Sequence, residues 1–374
     1  MEFSDSVLQY TEKVFLSLRS LLESWGYSQY KMSKFEEYDL YVRNKDFLIS
    51  DSIITFTDTT GRLMALKPDV TLSIIKNGRD LPGAVQKMYY DENVYRVSDV
   101  SHTFREIRQI GAECIGDIGI YDICETVFLA AQSLRKIAED SLLDISHLGL
   151  ISAVFSAAGV PEELRHPLMT CIGEKNLQGL SRLCIQAGFT AAETELISKL
   201  VSICGRPDSI LPMLDTEYGN IAANEIEELR QVVKFLKDSE CGDLVSIDFS
   251  AVSDIKYYNG IVFRGFVNGI PACLLSGGQY DRLMKKMGRG SGAVGFAIYL
   301  DLLETYGERR SAYDTDVLIL YDRETDPLLI RSIAETYIEQ GLKVLAQRRA
   351  PEGLTYRTAV TIRNGEVLLN EDPA

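Results

Sequence analysis

Two long segments in which polar and apolar residues alternate place the strongest constraint on the fold of this chain. They are QKMYYDENVYRV at residues 86–97 and TFREIRQIGAECIG at residues 103–116. Side chains of a β-strand point alternately to its two faces, so alternation over a dozen residues predicts long strands with one buried face. The sequence therefore predicts a sheet built around these two neighbouring strands.

Helices and a hairpin are predicted on either side of these strands. Residues 5–25 carry apolar side chains at helical spacing and end at Gly26, which predicts an amphipathic helix. SIITFTD and GRLMAL, separated by Thr-Thr-Gly, predict a hairpin. Pro68 is expected to open a helix that ends at Asn77-Gly78, and YDICETVFLAAQSLRKI predicts a further helix.

The remainder of the chain predicts a helical insertion, a return to strands and a small terminal module. Residues 148–240 contain helical patterns broken by Gly and Pro, and strands resume at LVSIDFS. IVFRGFV and IPACLLS flank Asn268-Gly269, a two-residue hairpin signal. QYDRLMKKMG and AVGFAIYLDLLETYG are interpreted as closing helices. After residue 314, DVLILY, a helix and KVLAQ predict an α/β module.

This order of elements favours an α+β fold over a doubly wound parallel sheet. We expect an antiparallel sheet flanked by helices in a core at residues 1–310, with the helical insertion at about 148–240 inside it. A small α/β module is expected at residues 315–374. The length of 374 residues and a hydrophobic content of 46% allow a sizeable buried core.

Composition argues against several classes of function. The 39 basic residues face 54 acidic ones, giving a net charge of −15 without a basic cluster, which disfavours nucleic acid as the main partner. No apolar run approaches the ~20 residues of a membrane span, and the N-terminus lacks the pattern of a signal peptide. Seven widely spaced cysteines predict buried, reduced thiols, and three histidines without ligand spacing predict neither metal nor cofactor. We therefore expect a cytoplasmic protein.

One face of the second strand is polar. Arg105, Gln109 and Glu113 share this face, and such groups are costly to bury unless they find partners. A solvated sheet face would explain the same pattern. However, Asp69 and Thr71 lie at the start of a predicted helix, and two tyrosines follow at 257–258. Carboxylates, an amide and aromatic walls together predict a pocket for a small amino acid.

Five segments, taken in order, resemble the catalytic core of class II aminoacyl-tRNA synthetases, and specifically the histidine enzyme. FTDTTGRLMALKPDVT resembles its hairpin ending L-R-P-E-x-T, and YYDENVYRVSDVSHTFREIRQIGAE resembles motif 2. SDIKYYNGIVF is similar to the histidine signature R-G-L-D-Y-Y-x-G-x-V-F. LLSGGQYDRLMKKMG and AVGFAIYLDLLE are similar to G-G-R-Y-D-x-L and motif 3. The resemblance extends from residue 1 to about residue 305.

The departures from these motifs concern charge at the ATP side. Ser253, Asp254 and Lys256 stand where the signature has arginine, glycine and aspartate, and Leu302 stands where motif 3 has an ATP-binding arginine. Without these arginines the site would lose the electrostatic stabilisation that adenylate formation needs. The motif 2 arginines are retained as Arg96 and Arg105.

A paralogous family shares this pattern, and the chain resembles it closely: the regulatory subunit of ATP phosphoribosyltransferase, in histidine biosynthesis. The resemblance implies a subunit without catalytic residues that activates a short-form catalytic subunit and mediates feedback inhibition by L-histidine. It further implies a homodimer, formed through the N-terminal helix and the strand after it, within a hetero-oligomer. The module after residue 314 would be a reduced anticodon-binding domain.

The resemblance also implies a set of histidine contacts. Asp69 and Thr71 would hold the α-amino group, supported by Gln109. Glu113 and Tyr258 would bind the imidazole, with Tyr257 as a wall. The carboxylate would need a cation, for which Arg96 and Arg105 are the candidates.

Three alternatives remain open on the sequence. One is an active histidine–tRNA ligase with displaced arginines, and another is an enzyme that activates an amino acid for a small acceptor; Leu302 counts against both. The third is a scaffold that binds no ligand. No phosphate site is expected in GRGSGAVG, which lacks the Lys-Ser/Thr ending of a phosphate loop. None is expected after DVLILY either, because Asp322 and Glu324 would repel phosphate.

Overall fold

The computed structural model describes residues 8–44, 53–78, 83–98, 101–251, 258–303, 306, 313–363 and 366–370. The chain divides into two compact units, Met1–Gly307 and Glu308–Ala374, and each is treated by itself. None of the helices within these ranges is both long and apolar enough to cross a bilayer.

The first unit contains most of the helices and strands. Its strands are β1 Ser28–Gln29, β2 Phe35–Glu37, β3 Thr55–Thr57, β4 Leu63–Leu66, β5 Val85–Val97, β6 Phe104–Gly116, β7 Ser141–His147, β8 Cys204–Gly205, β9 Val245–Asp248, β10 Ile261–Val267, β11 Leu275–Gln279 and β12 Gly292–Tyr299. Its α-helices are α1 Tyr10–Ser24, α2 Tyr38–Arg43, α3 Thr71–Asn77, α4 Ile120–Ile137, α5 Leu148–Ala157, α6 Glu162–Gly173, α7 Leu177–Gln186, α8 Ala191–Ser198, α9 Pro207–Tyr218, α10 Ala223–Lys237 and α11 Asp281–Lys286.

A nine-stranded sheet in the described part of this unit organises the fold. Its order is β1-β5-β6-β12-β11-β10-β7-β9-β8, and its neighbours are antiparallel except at β1–β5 and β7–β9. The two predicted long strands pair along their whole length, from Val85 opposite Gly116 to Val97 opposite Phe104. A smaller sheet of order β2-β4-β3 contains the predicted hairpin. The predicted antiparallel sheet flanked by helices is confirmed.

Helices α1 and α4 pack over one face of the large sheet. Helix α1 buries the apolar stripe Val14, Leu18, Leu21 and Leu22. Helix α4 begins where the Asp122 carboxylate accepts a 2.9 Å hydrogen bond from the Gly119 N–H. It ends with Arg135 and Lys136, which complement the negative end of the helix dipole. The insertion helices α5–α10 extend the same hydrophobic core.

A second hydrophobic cluster lies on the opposite face of β5 and β6. Tyr90, Val94 and Ile115 from these strands pack with Leu72 and Ile74 of α3. The polar residues of β6 therefore lie on a face that is covered by α3 and α11 rather than on an open sheet surface.

The second unit is a small α/β domain. It contains strands β13 Thr315–Tyr321, β14 Val344–Gln347, β15 Tyr356–Arg363 and β16 Glu366–Asn370, and helix α12 Pro327–Ile338. Their order is β14-β13-β15-β16, with the first three strands parallel. Val317, Ile319, Val360 and Ile362 form its core with apolar residues of α12.

The prediction of a two-residue hairpin at Asn268-Gly269 was wrong. These residues do occupy a turn, since Ile270 N–H bonds to the Val267 carbonyl at 3.1 Å and Gly269 has φ +89°. The β10–β11 pairing instead ends where Gly265 faces Leu275. Pro271 has no N–H to continue the ladder, and the strand begins only after it.

The predicted closing helix at AVGFAIY was also wrong, because these residues form β12. Phe296 and Ile298 face the main core, while Ala293 lies in the second cluster and Gly295 faces Glu113. Side chains that alternate between two packed layers are those of a strand.

Helix α3 begins at Thr71 rather than at the predicted Pro68, and α1 begins at Tyr10.

The prediction that the thiols are buried holds for five of the seven cysteines. Cys204 is exposed and Cys273 is half-buried. Cys204 lies at the edge of the large sheet in β8, which explains its exposure.

Candidate functional site

Strand register brings the predicted polar residues to one face of the sheet. On β6, Glu113 lies opposite Gly295 of β12, and Gln109 lies opposite Tyr299. On the other side, Gln109 lies opposite Glu92 of β5. Directly opposed residues in antiparallel strands point to the same face. Glu113 and Gln109 therefore share a floor that is built from three neighbouring strands.

The carboxylate of Glu113 is the centre of this floor. Its side chain is only 3% exposed. The Thr71 hydroxyl donates a 2.7 Å hydrogen bond to Oε1, and the Tyr280 hydroxyl donates to Oε2. Burial raises the pKa of Glu113 to about 8, against the lowering effect of the hydrogen bonds from Tyr280 and Thr71. The nearby Asp69 contributes to this rise, and with a pKa of about 8 the buried acid holds its proton at neutral pH.

Asp69 lies just before helix α3 and is half-buried. Its Oδ1 accepts a 2.9 Å hydrogen bond from the Leu72 N–H, which caps the first turn of the helix. Burial raises the pKa of Asp69, although that hydrogen bond and the charge of Arg96 act in the opposite direction. Arg96 Nε donates a 3.1 Å hydrogen bond to the Pro68 carbonyl and so fixes the segment that carries Asp69.

Gln109 presents a side-chain amide for which the described part of the chain supplies no hydrogen bond. Its side chain is 3% exposed. Polar groups in such largely buried positions are usually satisfied by the protein, by water or by a ligand. This amide lies on the same strand face as Glu113, two side chains away, and is available to a polar ligand there.

The remaining predicted residues differ in their placement. Arg105 lies opposite Arg96 on the same face but is exposed, at the far end of β6. Tyr258 is half-buried and packs against both hydrophobic clusters. A methyl group added to Gly278 would come within 2.9 Å of the Tyr258 ring. Tyr257 lies outside the described residues. The structure thus brings Thr71, Asp69, Gln109 and Glu113 together, with Arg96 beside them.

The sequence interpretation missed two tyrosines that complete this floor. Tyr280 binds Glu113, and Tyr90 is buried opposite Gly111, where any larger residue would overlap the Tyr90 hydroxyl. Burial raises the pKa of Tyr90 well above its usual value, and the neighbouring Glu113 and Asp69 add to this effect. Alternation along β5 already placed Tyr90 on the face of Gln109 and Glu113, so this signal was present.

The end of β12 carries no positive charge toward the floor. Tyr299, opposite Gln109, lies with its hydroxyl 3.2 Å from the Ser276 hydroxyl on the neighbouring strand. Leu302 is half-buried and packs against the main core. A leucine in this packed position offers no group that could bind a phosphate. Ser253, Asp254 and Lys256 lie outside the described residues.

No group of three potential metal ligands is found among the described residues. The arrangement is suited to hydrogen bonding, since it offers a titratable acid, an amide and two hydroxyls in a largely buried surface, with the half-buried carboxylate of Asp69 beside them.

Comparison with known proteins agrees with this fold. A family model described as histidyl-tRNA synthetase matches residues 2–303. The ATP phosphoribosyltransferase regulatory subunit of Desulfitobacterium hafniense (strain Y51) is 30% identical over 313 residues, which cover 81% of this chain and 80% of the relative.

Solved structures show the same fold. An ATP phosphoribosyltransferase regulatory subunit/histidyl-tRNA synthetase from Bacillus halodurans has a TM-score of 0.75 at 22% identity, covering 94% of this chain and 93% of that one. A chain of an ATP phosphoribosyl transferase complex from Thermotoga maritima has a TM-score of 0.61 at 22% identity, covering 78% and 97%. The predicted class II synthetase fold is confirmed. The chain belongs to the histidyl-tRNA synthetase family and, within it, to the ATP phosphoribosyltransferase regulatory subunits.

Proposed function

We propose that this chain is a non-catalytic regulatory subunit that assembles with an ATP phosphoribosyltransferase catalytic subunit, activates it and makes it sensitive to histidine. The curated relative at 30% identity carries the name of that regulatory subunit. A structural relative is part of an ATP phosphoribosyl transferase complex, which supports assembly with a catalytic partner. We place this complex in the cytoplasm, as a step of histidine biosynthesis.

One observation carries the proposal: a buried polar floor lies where the resemblance implies the amino-acid site, whereas a leucine stands where it implies an ATP-binding arginine. Glu113, Gln109 and Thr71 form a buried polar floor. At the position of the ATP-binding arginine, Leu302 packs on the hydrophobic core. Transition-state charge on a transferring phosphoryl group needs cations in place. A pocket that retains recognition but lacks these cations fits a sensor better than a ligase.

The geometry suggests how histidine would be held. The Thr71 hydroxyl already donates to Glu113, so its lone pairs remain to accept a bond from the α-ammonium group. Asp69 and Gln109 would complete the ammonium site. Glu113 and Tyr258 would bind the imidazole, with Tyr257 as a wall.

The histidine carboxylate would take a cation from the same face of the sheet. Arg96 is half-buried beside Asp69, whereas Arg105 is exposed opposite it. We propose Arg96 as the first partner, because its guanidinium already lies beside the segment that carries Asp69.

Regulation through this pocket requires two states of the complex with different affinities for histidine. A ligand shifts an equilibrium only by its differential affinity, and the coupling between two sites is reciprocal. Binding of the catalytic subunit should therefore change the affinity of this chain for histidine by a certain factor. Histidine should change the affinity of this chain for the catalytic subunit by the same factor.

We further propose a homodimer within the hetero-oligomer. The rings of Phe35 and Phe56 on the β2-β4-β3 sheet are both exposed, and their centroids lie 5.2 Å apart. An exposed pair of aromatic rings supports a protein contact at this surface. Sedimentation equilibrium at micromolar concentration should show a dimer, and a monomer alone would contradict this part of the proposal.

The assignment is tested by binding and by exchange chemistry. Calorimetry should show histidine binding that Gln109→Ala weakens by about tenfold or more, since a buried polar contact would be lost. Glu163→Ala, an exposed carboxylate in α6, should not alter it. Histidine-dependent ATP–pyrophosphate exchange should be undetectable. Exchange at the level of a ligase would replace the regulatory assignment with an enzymatic one, and unchanged affinity in Gln109→Ala would refute the pocket.

A further inference from the structure

The second unit contains a cleft at the carboxyl ends of its parallel strands. The cleft has a volume of about 1000 Å³. It is lined by residues 320–323 at the end of β13, 346–349 at the end of β14 and 361–363 at the end of β15. Ligands of open α/β sheets bind outside the carboxyl ends of the strands, at the point where the strand order reverses.

The sheet of this unit reverses its strand order at β13. From β13 the chain crosses through α12 to β14 on one side and then continues to β15 on the other. The cleft lies at the carboxyl ends of these three strands. This is where open α/β sheets bind their ligands.

The lining of the cleft is strongly basic. Four exposed arginines line it, against a single acidic residue: Arg323, Arg348, Arg349 and Arg363 against Asp322. This concentration of positive charge occurs in a chain whose net charge is −15. Uncompensated guanidinium groups at one cleft repel each other and bind anions, often through two parallel hydrogen bonds each.

The cleft arginines differ from the other arginines of the same unit. The described part of the unit contains six arginines. Of these six, the two outside the cleft are ion-paired, Arg331 with Glu335 at 2.9 Å and Arg357 with Asp316 at 3.1 Å. Among the residues that the structure describes, none forms an ion pair with the four that line the cleft.

Of the two acidic residues expected to repel phosphate, only Asp322 lines the cleft, where four arginines outnumber it. The Asp322 carboxylate accepts a 3.0 Å hydrogen bond from the Glu324 N–H and a 2.8 Å hydrogen bond from the Thr325 hydroxyl. These two hydrogen bonds orient the Asp322 carboxylate toward the turn that follows β13. Glu324 is not part of the cleft lining.

We propose that this cleft binds a small molecule that carries two or more phosphate groups. Four guanidinium groups exceed what a single phosphate can engage, and the volume is that of a small-molecule site rather than an extended groove. The cleft lies wholly within the second unit, so this proposal goes beyond the histidine pocket and stands independently of it.

Calorimetry on the full chain with inorganic triphosphate tests this proposal, at ~50 mM salt to limit screening. We expect saturable binding, with orthophosphate at least about tenfold weaker because it engages fewer guanidinium groups. Arg348→Gln/Arg349→Gln should weaken triphosphate binding by about tenfold or more. Arg323→Gln/Arg363→Gln, at the other strands, should do the same. ATP in place of triphosphate tests whether a nucleoside adds affinity.

The matched control is Arg331→Gln/Arg357→Gln, which removes equal charge from the same unit outside the cleft. It should leave triphosphate binding unchanged within about twofold, because exposed ion pairs contribute little to the fold. Equal weakening in the control would indicate nonspecific attraction and overturn the proposal. Absence of triphosphate binding would overturn it too, as would tighter binding of a single-stranded RNA through the same arginines.

Discussion

Gly295 of β12 lies directly opposite Glu113 of β6, and a methyl group at Gly295 would overlap Glu113 Oε2. The same methyl group would lie 2.6 Å from the Ala112 carbonyl oxygen, so neither the side chain nor the backbone leaves room for it. The glycine is thus what allows a carboxylate to lie flat on the sheet at this point.

Gly295→Ala should therefore displace Glu113 and remove histidine binding. We expect a loss of about 1–3 kcal/mol in the free energy of unfolding, typical of overpacking in a core. Gly290→Ala is the control, since a methyl group there meets nothing within 4 Å. Urea unfolding and calorimetry measure both effects. Normal histidine affinity in Gly295→Ala would show that the position of Glu113 does not matter for binding.

Glu113 should make stability depend on pH in a defined direction. Its pKa is raised from 4.5 to about 8, so its contribution to stability is present below pH 4.5 and is lost as pH rises through 8. Glu113→Gln cannot ionise. The variant should gain stability relative to the wild type between pH 5 and pH 8.5, by a few kcal/mol, since one pKa unit corresponds to about 1.4 kcal/mol.

Chemical denaturation at several pH values measures this difference. Glu163→Gln, at an exposed position, should show no such gain. If the difference between Glu113→Gln and wild type were flat with pH, the buried acid would not be protonated in the unliganded protein.

The buried ion pair beside the pocket should be sensitive to the loss of one partner. Lys67 is 1% exposed and pairs with Glu92, which lies opposite Gln109. Glu92→Gln leaves the ammonium group buried and unpaired, which should cost about 3–5 kcal/mol. Lys67→Met/Glu92→Gln should recover much of that loss. Glu335→Gln, which breaks the exposed pair with Arg331, should cost less than about 0.5 kcal/mol.

Unfolding free energies from urea titration distinguish these variants. If Glu92→Gln and Glu335→Gln both lowered the free energy of unfolding by the same small amount, the Lys67 ammonium group would be reaching water despite its burial.

Restoring the motif 3 arginine alone should not restore ligase chemistry. Leu302 packs on the core, so Leu302→Arg would place a charge against apolar side chains and cost about 1–3 kcal/mol. Ile185→Arg, at a position that is 73% exposed, should be nearly neutral. Pyrophosphate exchange assayed on Leu302→Arg should stay at background. Histidine-dependent exchange in that variant would show that one missing charge separates this chain from an enzyme.

The parts of the fold that follow from local periodicity could be predicted. The alternation in β5 and β6, the apolar stripes of α1 and α4, and the strand–helix–strand order after residue 314 all follow from residues close in sequence. The pairing of distant strands could not be predicted from local pattern. In β12, Ala and Gly alternate with Phe and Ile because one face meets Glu113 and the other packs in the main core, and a helix accommodates the same composition.

In the candidate site too, residues on one strand could be predicted, whereas contacts between distant segments could not. Gln109 and Glu113 could be found because they share a face of one strand. The contact between Glu113 and Tyr280 depends on how the segment after β11 folds back over β6, which no spacing in the sequence encodes. The arginine cleft was missed because its arginines lie at the ends of three separate strands and come together only in the folded sheet.

The rate of phosphoribosyl transfer by a short-form catalytic subunit tests the central claim most directly. It should be measured alone, with this chain, and with this chain plus histidine. We predict that the chain raises the rate and that histidine lowers it again, and that Glu113→Ala preserves the activation but abolishes the response to histidine. A rate that is unchanged by the chain, or inhibition that is equal in Glu113→Ala, would contradict the account.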